Sequence, residues 1–364
     1  MDLILIKGKI WFDLATPKYV MFMKPFVKML ETEGFETIVT TRFSQSYKEA
    51  GELLDCYGIK HFRIGTFGGN EKKGKFFSRI HRQEEFLNLF ETHGTPSCLI
   101  SGCVADSVQT AFGLGIPIVS FSDTPIRGYQ FRFEDITAVS RLTLPFSNLI
   151  FHPFVIPTEV YYSMGLDPRI IVPYDFIDVA LWLKDLKKDD AKDFRKRFSL
   201  PIDKPTILVR EEEFKAHYVR EKLNTVYEVI PLLKEELDCN IVISPRYESD
   251  HLKKSFSQYA LILDHSLPPD EFYPFIDLLI GGGGTMNLEA AFLGTPVIST
   301  RSLFLFHDRY LIDNGMMKWS TSPQECVRMA KSLLGNKKDN RSFFIRQENS
   351  FEKCYKKLLE FVRN

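Results

Sequence analysis

The sequence predicts an α/β protein of two successive doubly wound parallel sheets. Three observations carry that reading. Short β-branched or apolar runs alternate with amphipathic helical stretches from Ile10 to Phe121 and again from Thr206 to Ser299. That alternation describes βαβ units whose strands are covered on both faces. The length of 364 residues exceeds what one core usually holds, and the pattern weakens from about Arg127 to Lys204, where a boundary belongs. The expected division is 1–172 for a first Rossmann-like domain, 173–204 for a linker, 205–340 for a second such domain, and 341–364 for a closing helix.

In the first half, Ile10–Leu14 reads as the opening strand. Ala15-Thr16-Pro17 turns the chain into a helix over Tyr19–Glu33, and Pro25 inside that run predicts a kink or a later start. Thr37–Thr41 is a β-branched strand, Tyr47–Tyr57 a helix stopped by Gly58, and Lys60–Ile64 a short strand. Gly65–Lys75 reads as a loose basic loop, either solvated or meeting an anionic acceptor. Phe76–Glu91 is helical, Ser97–Ser101 a buried strand, and the Gly102 turn leads to a helix over Ser107–Phe112. Ile116–Phe121, Leu149–Phe151 and Ile170–Val172 are further strands, and the charge-dense run Lys184–Arg197 is a solvated helix or linker.

The second half opens with strand Thr206–Arg210 and helix Val219–Leu237. Strands Asn240–Ser244 and Leu261–Leu263 follow, then helix Asp270–Phe275. Strand Ile276–Ile280 runs into Gly281-Gly282-Gly283-Gly284, helix Met286–Leu293, Gly294-Thr295-Pro296 and strand Val297–Ser299. Helices Asp308–Asn314, Pro323–Leu334 and Arg341–Phe361 complete the chain.

The glycine turn is the strongest functional signal. Glycines allow close approach of backbone to a ligand, and the following helix offers unpaired N–H groups and a positive dipole end. Together they suit a phosphate or diphosphate bound by the amides from Gly281 to Met286. The bland alternative is a tight strand-to-helix turn, for which one glycine suffices. The dinucleotide fingerprint fails at Asn287, and no Gly-Lys-Ser/Thr completes a P-loop. Glu289, about one helical turn further on, is placed to accept hydrogen bonds from ribose hydroxyls, a spacing that suits a nucleotide-sugar.

Bulk composition narrows the partners. Lys+Arg and Asp+Glu both total 47, so zero net charge argues against a general electrostatic grip on nucleic acid or anionic membrane, while a local basic patch stays open. The six cysteines form no C-x-x-C pair and read as reduced core residues of a cytoplasmic protein. The first residues lack the features of a secretion signal, and no run approaches the ~18 apolar residues of a membrane span. Peripheral membrane contact remains open.

Ligands of doubly wound sheets bind beyond the carboxyl ends of the strands. In the second half those ends carry Arg210 and Arg246, each a phosphate clamp or a surface ion pair, and His265, placed near a nucleobase. Thr285 is placed to cap its helix, to bond a phosphate oxygen, or to do both. In the first half the ends carry Asp13, Thr16, Asp106 and Asp123. Glycosyl transfer to a hydroxyl needs a general base, and the three aspartates are its candidates. Asp13 equally suits a helix cap and Asp123 a turn. No D-x-D pair marks a divalent metal, and no cofactor is expected.

Several stretches resemble a known family: Lys9-Ile10-Trp11-Phe12-Asp13-Leu14-Ala15-Thr16-Pro17, Phe22-Met23-Lys24-Pro25, Gly34-Phe35-Glu36, Thr40-Thr41-Arg42, Gly113-Leu114-Gly115-Ile116-Pro117, and Gly281 to Ser299. The family is largely archaeal, of uncharacterised function, and of glycosyltransferase-B (GT-B) architecture. More distantly the chain is similar to non-hydrolysing UDP-N-acetylglucosamine 2-epimerases and to the glycosyltransferase that completes lipid II. The resemblance implies two Rossmann-like domains facing across a cleft, the second binding a UDP-sugar and the first an unidentified acceptor, without metal. A histidine pair frequent in the family after the Thr-Pro is replaced here by Lys18-Tyr19-Val20-Met21. The epimerases' Gly-Asp-Thr becomes Gly102-Cys103-Val104, with Asp106 the nearest carboxylate and Asp123 matching a second acidic position. A metal-independent glycosyltransferase is therefore the leading expectation. The alternatives are an epimerase-like enzyme or a non-catalytic nucleotide-sugar-binding protein.

Overall fold

The computed structural model describes residues 8–44, 48–66, 68–69, 71–212, 223–246, 249–264 and 267–364. The chain divides into two compact units. Met1–Ile126, Phe131–Asp178 and Gln347–Asn364 form the first, and Arg127–Gln130 with Val179–Arg346 the second.

Among the described residues the first unit forms a seven-stranded parallel sheet, ordered β3-β2-β1-β4-β5-β6-β7. Its strands are β1 (Lys9–Asp13), β2 (Glu36–Thr41), β3 (Phe62–Arg63), β4 (Cys98–Ser101), β5 (Ile118–Phe121), β6 (Leu149–Pro153) and β7 (Ile171–Tyr174). The central strands are buried along their whole length, as strands covered on both faces must be. On one face Trp11 meets Phe86 and Phe90 edge-on, at 4.6 and 4.9 Å between ring centroids. The buried indole N–H donates to Thr40 Oγ1 at 2.8 Å. On the other face Phe22 and Phe26 pack against Phe121, each at 5.3 Å.

Phe22 and Phe26 belong to the helix Pro17–Thr32, which starts earlier than its proline suggested and runs through Pro25. Pro17 at the first helical position is pre-set for that start. An interior proline costs about 3 kcal/mol. The helix buries Val20, Phe22, Met23, Phe26, Val27 and Leu30, each worth roughly 1.5–3 kcal/mol, so packing wins.

Among the described residues the second unit forms a six-stranded parallel sheet, ordered β10-β9-β8-β11-β12-β13. Its strands are β8 (Thr206–Arg210), β9 (Asn240–Ser244), β10 (Leu261–Ile262), β11 (Leu278–Gly281), β12 (Val297–Ser299) and β13 (Met317–Trp319). Ile207, Val209, Ile241, Ile280 and Ile298 meet Val229, Leu233 and Cys326 in its core.

Several elements differ from the sequence reading. The basic stretch Lys72–Lys75 is the first turn of a 22-residue helix, Lys72–His93, rather than loop. The helix Ala105–Gly113 begins early enough to place Asp106 in its first turn. The closing segment is two helices, Arg341–Phe344 and Ser350–Arg363, with the unit boundary between them. β13 went unread because three residues carry no period. The helix expected over Val219–Leu237 is described as Thr225–Glu236, its first expected turn lying outside the described residues. No helix among the described residues is long and apolar enough to cross a membrane.

Candidate functional site

In each sheet the chain winds outward from one central strand and then resumes on its other side. The switch point lies between β1 and β4 in the first unit and between β8 and β11 in the second. Crevices open at the carboxyl ends of such strand pairs. In the second unit the pair ends in register at Arg210 and Gly281, so the glycine turn sits at the switch point. Gly282 N–H donates to Arg210 O at 3.0 Å and closes the strand end. The helix Gly284–Phe292 starts immediately, with Gly283 as its cap residue and no side chain capping it. Its first internal bond runs from Asn287 N–H to Gly283 O, at 3.0 Å. The amides of Gly284, Thr285 and Met286 precede that bond and face the positive end of the helix dipole. These residues are half-buried, not covered. Thr285 lies inside the helix, which corrects its reading as the cap.

None of the four glycines needs a left-handed backbone. Three are crowded by the chain itself, Gly282 by backbone and the other two by side-chain ends. A Cβ on Gly282 would press on the backbone of Glu212 inside 3.0 Å, one on Gly281 would meet Asn287 Oδ1 at 2.6 Å, and one on Gly284 would meet the Arg301 guanidinium at 2.9 Å. The run of glycine thus serves packing, and the ligand-approach argument made from sequence holds only for the open amides.

Two guanidinium groups flank the helix start. Arg210 donates to Ser244 Oγ at 2.8 Å and to Pro245 O at 2.5 Å, and its side chain lies beside Gly283. Arg301 is buried beside Gly284, aimed by Asp308 through contacts of 2.9 and 3.0 Å. Sequence reading missed Arg301. The available signal was its place two residues beyond β12, at the same edge of the sheet as Arg210 and Arg246. Arg246 itself is exposed, and its backbone N–H donates to Glu211 Oε2 at 2.8 Å. Buried Glu211 also accepts from Tyr227 Oη at 2.7 Å, tying the ends of β8 and β9 together. His265 lies outside the described residues.

Glu289 is buried, and both of its oxygens are engaged inside the unit. Trp182 Nε1 donates to one at 2.9 Å, and Tyr273 Oη donates to the other. Burial pushes its carboxyl above the usual range, against those hydrogen bonds and the charge of Arg210. A ribose hydroxyl would have to share or displace these donors. Two pockets of this unit lie elsewhere, by Gly294–Val297 and by Lys337–Arg341, and neither includes a residue of the glycine turn.

The first unit's switch point is filled by charge. Asp13 ends β1 opposite Ser101 and is fully buried. Its oxygens take the Arg82 guanidinium at 2.6 and 3.0 Å and the Thr40 hydroxyl at 2.8 Å. It does not cap the next helix, whose cap residue is the exposed Thr16 with no side-chain bond. Asp106 is gripped by Arg42 at 2.5 Å, Arg79 at 3.1 Å and Arg82 at 3.4 Å. A base must reach its proton, and these two carboxylates face guanidinium groups instead.

Asp123, just beyond β5, keeps 27% of its side chain exposed. Lys18 bridges it to Asp178, the latter at 2.6 Å, and Tyr19 Oη donates to Asp123 at 3.4 Å. Burial alone would lower the Lys18 pKa, but the two carboxylates raise it above its ordinary value, so the ammonium is fixed as a cation. Cys103, where the epimerase motif has its carboxylate, holds a left-handed φ of 60°. Burial pushes its thiol up to about 12, which leaves it neutral. Among the described residues no His/Cys/Asp/Glu group could hold a metal ion.

Comparisons with known proteins agree with this architecture. The chain is 27% identical over 341 residues to the uncharacterized protein MJ0665 of Methanocaldococcus jannaschii, covering 92% of this chain and 94% of that one. Its fold is similar to the UDP-GlcNAc 2-epimerase of Neisseria meningitidis bound to UDP-GlcNAc, with a TM-score of 0.75, 14% identity and 97% and 100% of the two chains covered. The UDP-GlcNAc 2-epimerase of Methanocaldococcus jannaschii, in complex with UDP-GlcNAc and UDP, gives 0.74, 17%, 97% and 99%. The Anabaena HepE protein in complex with UDP-glucose gives 0.63, 11%, 98% and 99%. Identities this low show a shared Rossmann-like, GT-B-like fold and nothing finer. The family described as "Protein of unknown function (DUF354)" matches residues 8–363, and the chain belongs to that family.

Proposed function

We propose that the protein is a metal-independent glycosyltransferase that takes a sugar from a UDP-activated donor. One observation carries the reading: the open amides of Gly284, Thr285 and Met286 at the second unit's switch point, flanked by Arg210 and Arg301. Fixed donors of that kind suit the diphosphate, whose charge grows as the glycosidic bond breaks. That similar folds have been solved with UDP, UDP-GlcNAc or UDP-glucose bound supports the donor class. The first unit takes the acceptor, and Asp123 is the general base, since it alone of the three aspartates keeps part of its side chain open. Asp13 and Asp106 hold Arg42, Arg79 and Arg82 at the first unit's switch point. Calorimetry with UDP, UDP-GlcNAc and UDP-glucose tests the donor site. The reading expects binding, and a loss of roughly tenfold to a hundredfold in Arg301→Met. A folded protein that binds none of them removes it.

The epimerase reading is favoured by one fact, that the first-named of these similar structures are UDP-GlcNAc 2-epimerases. Against it stand the neutral Cys103 at the first acidic position and the arginine-bound state of Asp106, the carboxylate nearest to it. Incubation of UDP-GlcNAc with the protein in heavy water separates the two. Epimerisation places deuterium at C2, and transfer leaves C2 untouched.

A further inference from the structure

The helix Lys72–His93 carries an apolar face that its own unit does not use. Its core-facing side is Arg82, Phe86, Leu89 and Phe90. With 3.6 residues per turn, Phe76, Phe77 and Ile80 project from the opposite side. They are 60%, 47% and 44% exposed. Scattered exposed apolar residues are ordinary, but three within five positions, two of them phenylalanine, form a patch.

Charge identifies what the patch meets. Lys72 and Lys73 stand exposed in the same first turn, Lys73 over the Phe77 ring, and no acidic residue lies in that turn. Lysines at a helix N-terminus oppose the dipole, which favours anions there. The arrangement is unfavourable in water and becomes favourable against a surface of negative charge. Aromatic side chains between lysines on a convex helix face match a bilayer interface, where rings enter the acyl boundary and ammonium groups stay with the phosphates. A nucleic acid would ask for a basic groove, and an apolar protein partner would leave the lysines without a role.

We propose that the first two turns of the Lys72–His93 helix dock the protein on an anionic phospholipid surface. This does not depend on the nucleotide-sugar reading. The test is co-sedimentation of the full chain with vesicles of phosphatidylcholine, with and without phosphatidylglycerol. The expected result is sedimentation only with the anionic vesicles, weakened by salt. Phe76→Ser with Phe77→Ser, and separately Lys72→Glu with Lys73→Glu, each lower the partition by roughly tenfold or more while the melting midpoint stays put. A wild-type protein left in the supernatant with both vesicles overturns the proposal. So do variants that sediment like the wild type. A wild-type dimer that Phe76→Ser splits in analytical ultracentrifugation also overturns it, by reassigning the face to a second copy of the chain.

Discussion

The two units place equivalent residues at equivalent points and use them in opposite ways. Asp13 ends the strand before the first switch point, and Arg210 ends the one before the second. On the partner strands, Ser101 is followed by Gly102 and Gly281 by Gly282. Each of those second glycines is crowded by its own unit, Gly102 by the Tyr19 ring and Gly282 by the Glu212 backbone. The helices that follow then diverge. The first carries Asp106 in its opening turn, an internal anion surrounded by three arginines. The second has no acidic residue there and keeps two arginines beside it. On the proposed function, an anion site is made from a common strand–turn–helix by omitting the internal anion and keeping the cations.

The sharpest way to break that comparison is to unbalance the first unit. Arg82 is 1% exposed on its side chain and is the guanidinium that Asp13 accepts from twice. Arg82→Met strands a buried carboxylate, and removing one partner of such a pair costs about 3–5 kcal/mol. Adding Asp13→Asn recovers much of the loss, because position 13 then carries no buried charge, while Asp106 keeps Arg42 and Arg79. Hydrogen exchange of the β1 and β4 amides reads this unit directly. An Arg82→Met protein with unchanged protection would mean the network does not hold the switch point together.

Acid and base act on the units with opposite sign. Burial lowers the His152 pKa to about 4 from an ordinary 6.5, although its Nδ1 lies 3.1 Å from the Pro153 carbonyl. The unfolded chain takes up a proton first as pH falls. The contribution of His152 to the first unit's stability is therefore full above about 6.5 and is lost between there and about 4. A shift of that size corresponds to about 3 kcal/mol. Glu289, raised instead, contributes stability that is full below the ordinary carboxylate value and is lost as pH rises through its folded value. His152→Gln should flatten the first unit's acid limb, and Glu289→Gln the second unit's loss toward neutral pH. Exchange rates in β6 and β11 against pH separate the two. Parallel slopes in both units would contradict these assignments.

Legibility followed how local each feature is. The sheets were readable because buried parallel strands such as Cys98–Ser101 are short continuous apolar runs. The glycine turn was readable from composition alone. Arg301 was not, because its meaning lies in the approach of the post-β12 segment to Gly284, which no spacing records. Arg82 was passed over because a pattern of apolar periods treats arginine as solvated, whereas here it fills the inner face beside Phe86. Lys72–Lys75 read as loop because Gly74 interrupts it. A Cβ on Gly74 would strike the Gly68 carbonyl, so that glycine serves a backbone crossing inside a helix.

The smallest effect tests why the second turn is glycine at all. If close packing sets Gly282, alanine there must move the backbone of Glu212, and overpacking of that kind costs about 1–3 kcal/mol. A Cβ on neighbouring Gly283 has as its nearest contact the Arg210 Cγ, at 3.1 Å, the middle of a flexible side chain. Gly283→Ala should therefore cost little by that argument, plus the roughly 0.5–1 kcal/mol by which alanine is worse than glycine at a helix cap. Urea denaturation followed by exchange in β8 and β11 gives both numbers. A clear gap says that the two adjacent glycines answer to different masters, Gly282 to the fold and Gly283 to the space left open above the helix. Equal costs would mean the turn is uniformly tight, and the amides of Gly284 to Met286 would then need a backbone movement before any anion could reach them.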